Sequence, residues 1–186
     1  MLQLNFSPFP ILESERLRFR KLTNEDALEI LALRGNRETM KFIPRPLVTD
    51  IEGALALIKM INDKIDENLD INWTVTEIGS DKCIGIMGFY RTQPEHFRTE
   101  LGYMITPEHW EKGYTTEAVR TLLFYAFETL RFHSVEAVID ERHTVSERVL
   151  LKNGFVKEAH FKENFYYNGE FTDTIIYSLL KRNFNK

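Results

Sequence analysis

The sequence predicts an α/β (α+β) fold, a mixed and mostly antiparallel sheet covered by helices, and three observations carry that expectation. Apolar–polar alternation recurs in short stretches that pair like hairpins, at Asn72 to Ile78 with Lys82 to Arg91 and again around Asn168-Gly169. Glu100 to Leu130 reads as strand, tight loop and long helix. A further alternating stretch, Ser134 to Asp140, follows that helix and makes one strand–helix–strand crossover.

Each element has its own signal. Arg16 to Lys21 alternates apolar and basic residues and forms a first strand. Thr23 with Asp26 marks a helix start, and Ala27, Leu28, Ile30 and Leu31 continue the helix to about Leu33 before Arg34-Gly35-Asn36 ends it. Prolines at 44 and 46 keep Phe42 to Pro46 out of a helix, leaving a loop. Ile51, Leu55, Ile58, Ile61 and Ile65 recur at helical spacing over Asp50 to Ile65. Gly79-Ser80-Asp81 connects the next two strands, and Gly85 and Gly88 in the second mark a bulge or a close backbone approach. The polar stretch Arg91 to Arg98 leads to the central strand at Thr99, which Pro107 stops at about Thr106. Thr144-Val-Ser-Glu147 has capping-box form and opens a short helix ended by Asn153-Gly154. Phe155 to Phe165 and Phe171 to Leu180 close the chain as a hairpin.

Length and composition set bounds. A chain of 186 residues with 43% hydrophobic content fits one domain spanning 1–186, with residues 1–10 as an N-terminal extension. Cys83, the single cysteine, precludes an internal disulfide and favours a reducing compartment. Met1 to Pro10 is too short and too proline-broken for a leader, and no apolar run approaches the roughly 18 residues of a membrane span, so a soluble, cytoplasmic protein is expected. The net charge of -4 argues against general nucleic-acid binding. The five histidines show no metal-ligand spacing with the cysteine, so no metal is expected.

The loop between the central strand and the long helix carries the chemistry. Gly113 releases the backbone just before the helix, so several unpaired N–H groups and the positive end of the helix dipole converge where a phosphate would sit. The two common nucleotide motifs, Gly-x-Gly-x-x-Gly and Gly-x-x-x-x-Gly-Lys-Ser/Thr, are absent. The segment Trp110-Glu-Lys-Gly-Tyr-Thr-Thr-Glu-Ala118 resembles the acetyl-CoA pyrophosphate loop of the GNAT superfamily of N-acetyltransferases. Trp110 stands where Arg or Gln is usual and Thr115 replaces a small residue, yet the wording suits the branch resembling the ribosomal-protein N-terminal (alanine/serine) acetyltransferases. Leu12-Glu-Ser-Glu-Arg-Leu-Arg18 and His143-Thr-Val-Ser-Glu-Arg-Val-Leu-Leu-Lys-Asn-Gly-Phe155 extend the likeness over nearly the whole chain. In the second motif His143 replaces an asparagine that commonly touches the cofactor.

The resemblance implies a GNAT-like sheet of about six to seven strands with helices on both faces. It also implies acetyl-CoA as co-substrate, its pantetheine arm paired with the backbone of Tyr103, Met104 and Ile105 like an added strand. Its pyrophosphate would lie on Trp110, Glu111, Lys112, Gly113, Tyr114, Thr115 and Thr116, held by backbone donors of Lys112, Gly113, Thr115 and Thr116. Acetyl transfer needs a neutral amine and a proton for the leaving thiolate. Glu100, on the strand lining the acetyl end, is the candidate proton acceptor; its alternative is a solvent-facing strand glutamate. The superfamily's usual acid is a tyrosine at the position of Leu150, so Ser146 is the candidate acid, with an ordinary first-turn serine as its alternative. Tyr103 and Tyr125 read as core or pocket wall, and His109 and Trp110 either stack on the cofactor or close the loop. Glu163, Tyr166, Tyr167 and Asp173 either line the acceptor side or form an exposed strand face. The acceptor is a primary amine, with a protein N-terminal α-amine as first choice and a polyamine, amino acid or antibiotic as runner-up; a non-catalytic CoA-binding module is the third reading. A homodimer is expected only by analogy.

Overall fold

The computed structural model describes residues 1–184. Eight strands, β1 (Leu12–Glu13), β2 (Leu17–Arg20), β3 (Ile71–Glu77), β4 (Gly85–Gln93), β5 (Arg98–Ile105), β6 (Ser134–Asp140), β7 (Val156–Tyr167) and β8 (Glu170–Leu180), form one sheet in the order β1-β2-β3-β4-β5-β6-β8-β7. Only β5 and β6 run parallel; every other neighbouring pair is antiparallel. The strand beyond the expected count is β1, whose two residues are too short to leave an alternation signal.

Five α-helices cover the sheet: α1 (Ala27–Arg34), α2 (Arg37–Met40), α3 (Ile51–Asp66), α4 (Tyr114–Phe124) and α5 (Thr144–Lys152). All residues of β3 from Ile71 to Thr76 are buried, and successive side chains point to opposite faces, so this strand is covered on both. Trp73 sits at the centre, with Phe9, Phe89 and Tyr125 edge-on to its ring. Residues 1–10 are packed as well: Phe6 is buried, and the Pro10 carbonyl accepts a 2.7 Å bond from the Trp73 indole. No helix among the described residues is long and apolar enough to cross a membrane.

Several expectations were met for identifiable reasons. The Thr23 N–H donates to the Asp26 carboxylate at 2.9 Å, and a 3₁₀ turn leads into α1. Asn168 and Gly169 both have positive φ, 50° and 87°, as a tight hairpin turn requires. Gly88 meets the close backbone approach expected of it, since an added Cβ would lie 2.2 Å from the Ile71 carbonyl oxygen.

Three expectations need correction. The capping box at Thr144 does not form: Thr144 is already the first helical residue, His143 precedes it without a side-chain cap, and Glu147 accepts instead from the Tyr177 hydroxyl on β8. The long helix changes to a π-turn at Tyr125–Thr129, whose wider turn buries the consecutive residues Tyr125, Ala126 and Phe127. Cys83 precedes β4 rather than lying in it; burial pushes its thiol up to about 12.

Candidate active site

The site begins where two strands part. The β5–β6 ladder has three partners only, Arg98 with Ser134, Thr99 with Val135 and Glu100 with Glu136. Beyond them β5 stays with β4 as far as Ile105, while β6 follows β8 to Asp140. The Thr106 N–H donates to Ile84 on the β4 side at 2.9 Å, so alternation turns the backbone groups of Tyr103 and Ile105 to the other edge, where no ladder runs among the described residues. The Ile105 carbonyl is taken by the Trp110 indole at 2.7 Å. What stays open is a short edge able to pair with an extended chain carrying amide groups.

The loop after β5 is built to present N–H groups. Pro107–His109 makes one 3₁₀ turn, Glu111 has φ 60°, and Gly113, with φ 80°, stands as N-cap of α4 without a side-chain cap. The first intrahelical bond runs from Glu117 N–H to the Gly113 carbonyl, so the N–H groups of Tyr114, Thr115 and Thr116 precede the helical ladder. Trp110 and His109 close this loop: the indole holds Ile105, and His109 Nδ1 lies 2.8 Å from Thr106 Oγ1. Free donors at the positive end of an eleven-residue helix fit a diphosphate.

A clamp reaches this loop from the start of the chain. Glu117 accepts from Ser14 Oγ at 2.7 Å, from the Arg16 backbone N–H at 2.9 Å and from Arg16 Nε at 2.7 Å. Arg16 also donates to the Lys112 carbonyl at 3.0 Å and lies over the Tyr114 ring. Burial alone would raise the Glu117 pKa, but the bonds from Ser14 and Arg16 overcome it and hold the carboxyl below its ordinary value. The acid in the first turn of α4 is thereby neutralised and does not oppose an anion. Sequence reasoning quoted both motifs and missed their contact, which joins residues 101 positions apart.

Glu100 lines a cleft of about 740 Å³ together with residues 42–45 of the loop after α2 and residues of the β7–β8 hairpin. Its side chain is 12% exposed and accepts from Arg91 Nη1 at 2.6 Å, so it is not a solvent-facing strand glutamate. Burial raises its pKa, against the pull of the Arg91 and Arg45 guanidinium groups. Of the hairpin residues singled out from sequence, Tyr167 and Asp173 line the cleft. Tyr166 is exposed with its ring against Phe171, and Glu163 is exposed and donates its N–H to Asp173.

Ser146 is buried on the first turn of α5, its Oγ 2.7 Å from the hydroxyl of Tyr103 on the open edge of β5. Burial pushes the Tyr103 pKa up, so the phenol keeps its hydrogen at neutral pH. Tyr103 packs against the core, as a wall residue would, and its hydroxyl is also bonded to the candidate acid. His143 stacks on Phe42 of the cleft-lining loop, ring centroids 4.7 Å apart, and burial lowers its pKa. Met104 and Ile105 are buried, leaving Tyr103 the most accessible of the three β5 residues. Glu141, His160 and Asp173 bring ligand atoms within 4.8 Å of one another, a juxtaposition that spacing did not reveal; His160 and Asp173 are directly hydrogen bonded.

A parted parallel strand pair, an anion-ready helix start beside it and a cleft lined by a buried carboxylate are features that suit an acyl-CoA-handling transferase. Residues 16–156 match the family model of the acetyltransferase (GNAT) domain, and the chain belongs to that family. It is an acetyl-CoA-dependent N-acetyltransferase, an acyltransferase enzyme acting on an amine. It is 35% identical over 173 residues to the uncharacterized N-acetyltransferase YoaA of Bacillus subtilis, covering 93% of this chain and 98% of the relative. The spermidine N(1)-acetyltransferase of Vibrio cholerae is 26% identical over 161 residues, 86% of this chain and 90% of its own. Among solved structures, the ribosomal-protein-S5-alanine acetyltransferase of Vibrio fischeri superposes with a TM-score of 0.82 at 24% identity, covering 95% of this chain and 100% of that one, a likeness of fold.

Proposed function

We propose that this enzyme acetylates the N-terminal α-amine of a polypeptide, with Glu100 as proton acceptor. The acceptors named for its relatives differ, a polyamine in one and a ribosomal protein in another, so the choice rests on the cleft. The observation that carries it is Glu100 in the wall of a wide cleft, its proton affinity raised by burial yet held in check by Arg91 and Arg45. Such a carboxylate is a weak base. It suffices for an α-amine, whose pKa of about 7.7–8.0 leaves a neutral fraction at physiological pH, and serves poorly for an alkylamine near 10.4. The volume of about 740 Å³ accommodates several residues of an extended chain.

Acetyl-CoA supplies the acetyl thioester. The backbone of Tyr103 and Ile105 binds its amide-bearing arm by strand addition, and the N–H groups from Gly113 to Thr116 hold its diphosphate. Trp110, His109 and the Ser14–Arg16–Glu117 clamp keep that loop in shape. Glu100 takes the proton that the amine loses, directly or through one water. The hydrogen-bonded hydroxyls of Tyr103 and Ser146 would donate to the departing sulfur as the C–S bond breaks, and the proton that Glu100 took from the amine makes up for theirs through solvent.

The test is release of free CoA thiol from acetyl-CoA with single acceptors: peptides beginning with serine or alanine, the same peptides N-terminally blocked, spermidine and aminoglycosides. Turnover of free but not blocked peptides is expected. Turnover of spermidine or aminoglycosides alone would overturn the polypeptide reading.

A further inference from the structure

We propose that the acceptor carries negative charge next to its reacting amine: the cleft selects polypeptide N-termini followed by aspartate or glutamate and rejects cationic amines. This rests on the acetyl-transfer reading above and deepens it by naming the class of acceptor.

The charges along the cleft wall are unevenly placed. Five cations and four carboxylates line it, a formal excess of one positive charge. Glu100 is paired with Arg91, Asp140 and Glu170 share Arg142 at 2.7 Å and 3.6 Å, and Asp173 is hydrogen bonded to the His160 ring. Three further cations line the same wall, Arg37, Lys41 and Arg45, and among the described residues none of them forms a direct ion pair with a carboxylate. Lys41 instead lies 5.4 Å from the centre of the Phe42 ring. This excess stands on a chain of net charge -4, so it is a local feature and not a reflection of a basic surface.

The three cations occur within nine positions of sequence, on α2 and the loop after it, and all line the cleft that Glu100 also lines. Like charges gathered without direct ion-pair partners repel one another, and an anionic ligand relieves that repulsion. They are not partners for the cofactor's diphosphate, since no residue of the loop from Trp110 to Thr116 lines this cleft. Arg45 and Glu100 line the same cleft, and the guanidinium acts electrostatically on that carboxylate. A polyamine would bring additional positive charge against this wall, which costs affinity.

The experiment compares kcat/KM for two peptides that share a first serine, one continuing with Glu-Asp and the other with Lys-Lys, alongside free glutamate and spermidine as small amines. We expect the acidic peptide to be preferred by about tenfold or more at low salt, and the preference to shrink at 0.5 M salt, roughly as screening demands. The Arg37→Glu/Arg45→Glu variant should invert the order. Equal or better turnover of the Lys-Lys peptide or of spermidine would overturn the charge proposal. Reaction of glutamate with no reaction of either peptide would overturn the polypeptide reading while upholding the charge preference. Equilibrium binding of fluorescent versions of both peptides to the CoA-saturated protein, with Arg45→Gln as a milder variant, reads the same preference without turnover. Equal affinity of the two peptides there would also refute it.

Discussion

Replacing Glu117 by glutamine should loosen the cofactor loop from a distance. The carboxylate receives two bonds from Arg16, one from its backbone and one from its guanidinium, and a third from Ser14; Arg16 in turn holds the Lys112 carbonyl. Glutamine keeps an acceptor oxygen but loses the charge and one of the two acceptors. Charge-assisted bonds contribute about 1.5–3 kcal/mol each when shielded, and the 43% exposure of Arg16 discounts its share, so the net loss is about 2 kcal/mol. For a chain of this size that lowers Tm by about 4–8 °C. If most of the loss falls on the conformation that binds the diphosphate, KM for acetyl-CoA rises by about tenfold. Because the folded-state pKa of Glu117 is depressed, its contribution is complete above the unfolded value of about 4.3 and is lost as pH falls through the folded value. The Tm gap between wild type and Glu117→Gln should therefore narrow in acid. Melting curves across pH and acetyl-CoA saturation curves are the assays. An unchanged KM together with an unchanged Tm at neutral pH would refute the clamp.

Two further outcomes follow from the same geometry. Gly88→Ala drives a methyl to 2.2 Å from the Ile71 carbonyl oxygen in the middle of the β3–β4 ladder, and should cost about 3 kcal/mol, read by denaturant unfolding. Tyr103→Phe leaves the buried Ser146 hydroxyl without its partner and should lower kcat about tenfold and stability by about 1–2 kcal/mol, read by steady-state kinetics and melting together.

Much of the fold was legible because its signals are local. Ser134 to Asp140 matches β6 residue for residue, and Asn168-Gly169 turns the hairpin as its φ requirements dictate. The cofactor loop was legible for the same reason, since Pro107, Gly113 and the helix start lie within a few residues of one another. The capping box at Thr144 misled because a helix start depends on the entering chain, and here that chain is His143, fixed by its stack on Phe42 of a distant loop. Glu100 could be placed on its strand but not turned toward a cleft, because the cleft exists only where β5 and β6 part. The Tyr103–Ser146 pair, 43 positions apart, and the Ser14–Arg16–Glu117 clamp leave no trace in spacing. Nor does charge balance along a wall, which needs every partner located before the unanswered cations can be recognised.

The measurement that tests the account most directly is the pH profile of kcat for wild type, Glu100→Gln and Ser146→Ala, with KM for acetyl-CoA determined alongside. Glu100 must be ionised to accept a proton, and burial raises its pKa, so the acid limb of the wild-type profile should lie above the ordinary carboxylate value of about 4.3. Glu100→Gln should abolish that limb and lower kcat by about a hundredfold, and Ser146→Ala should lower kcat across the whole range, both with KM for acetyl-CoA preserved. A wild-type profile retained by both variants would contradict the assignment of the chemistry to these residues.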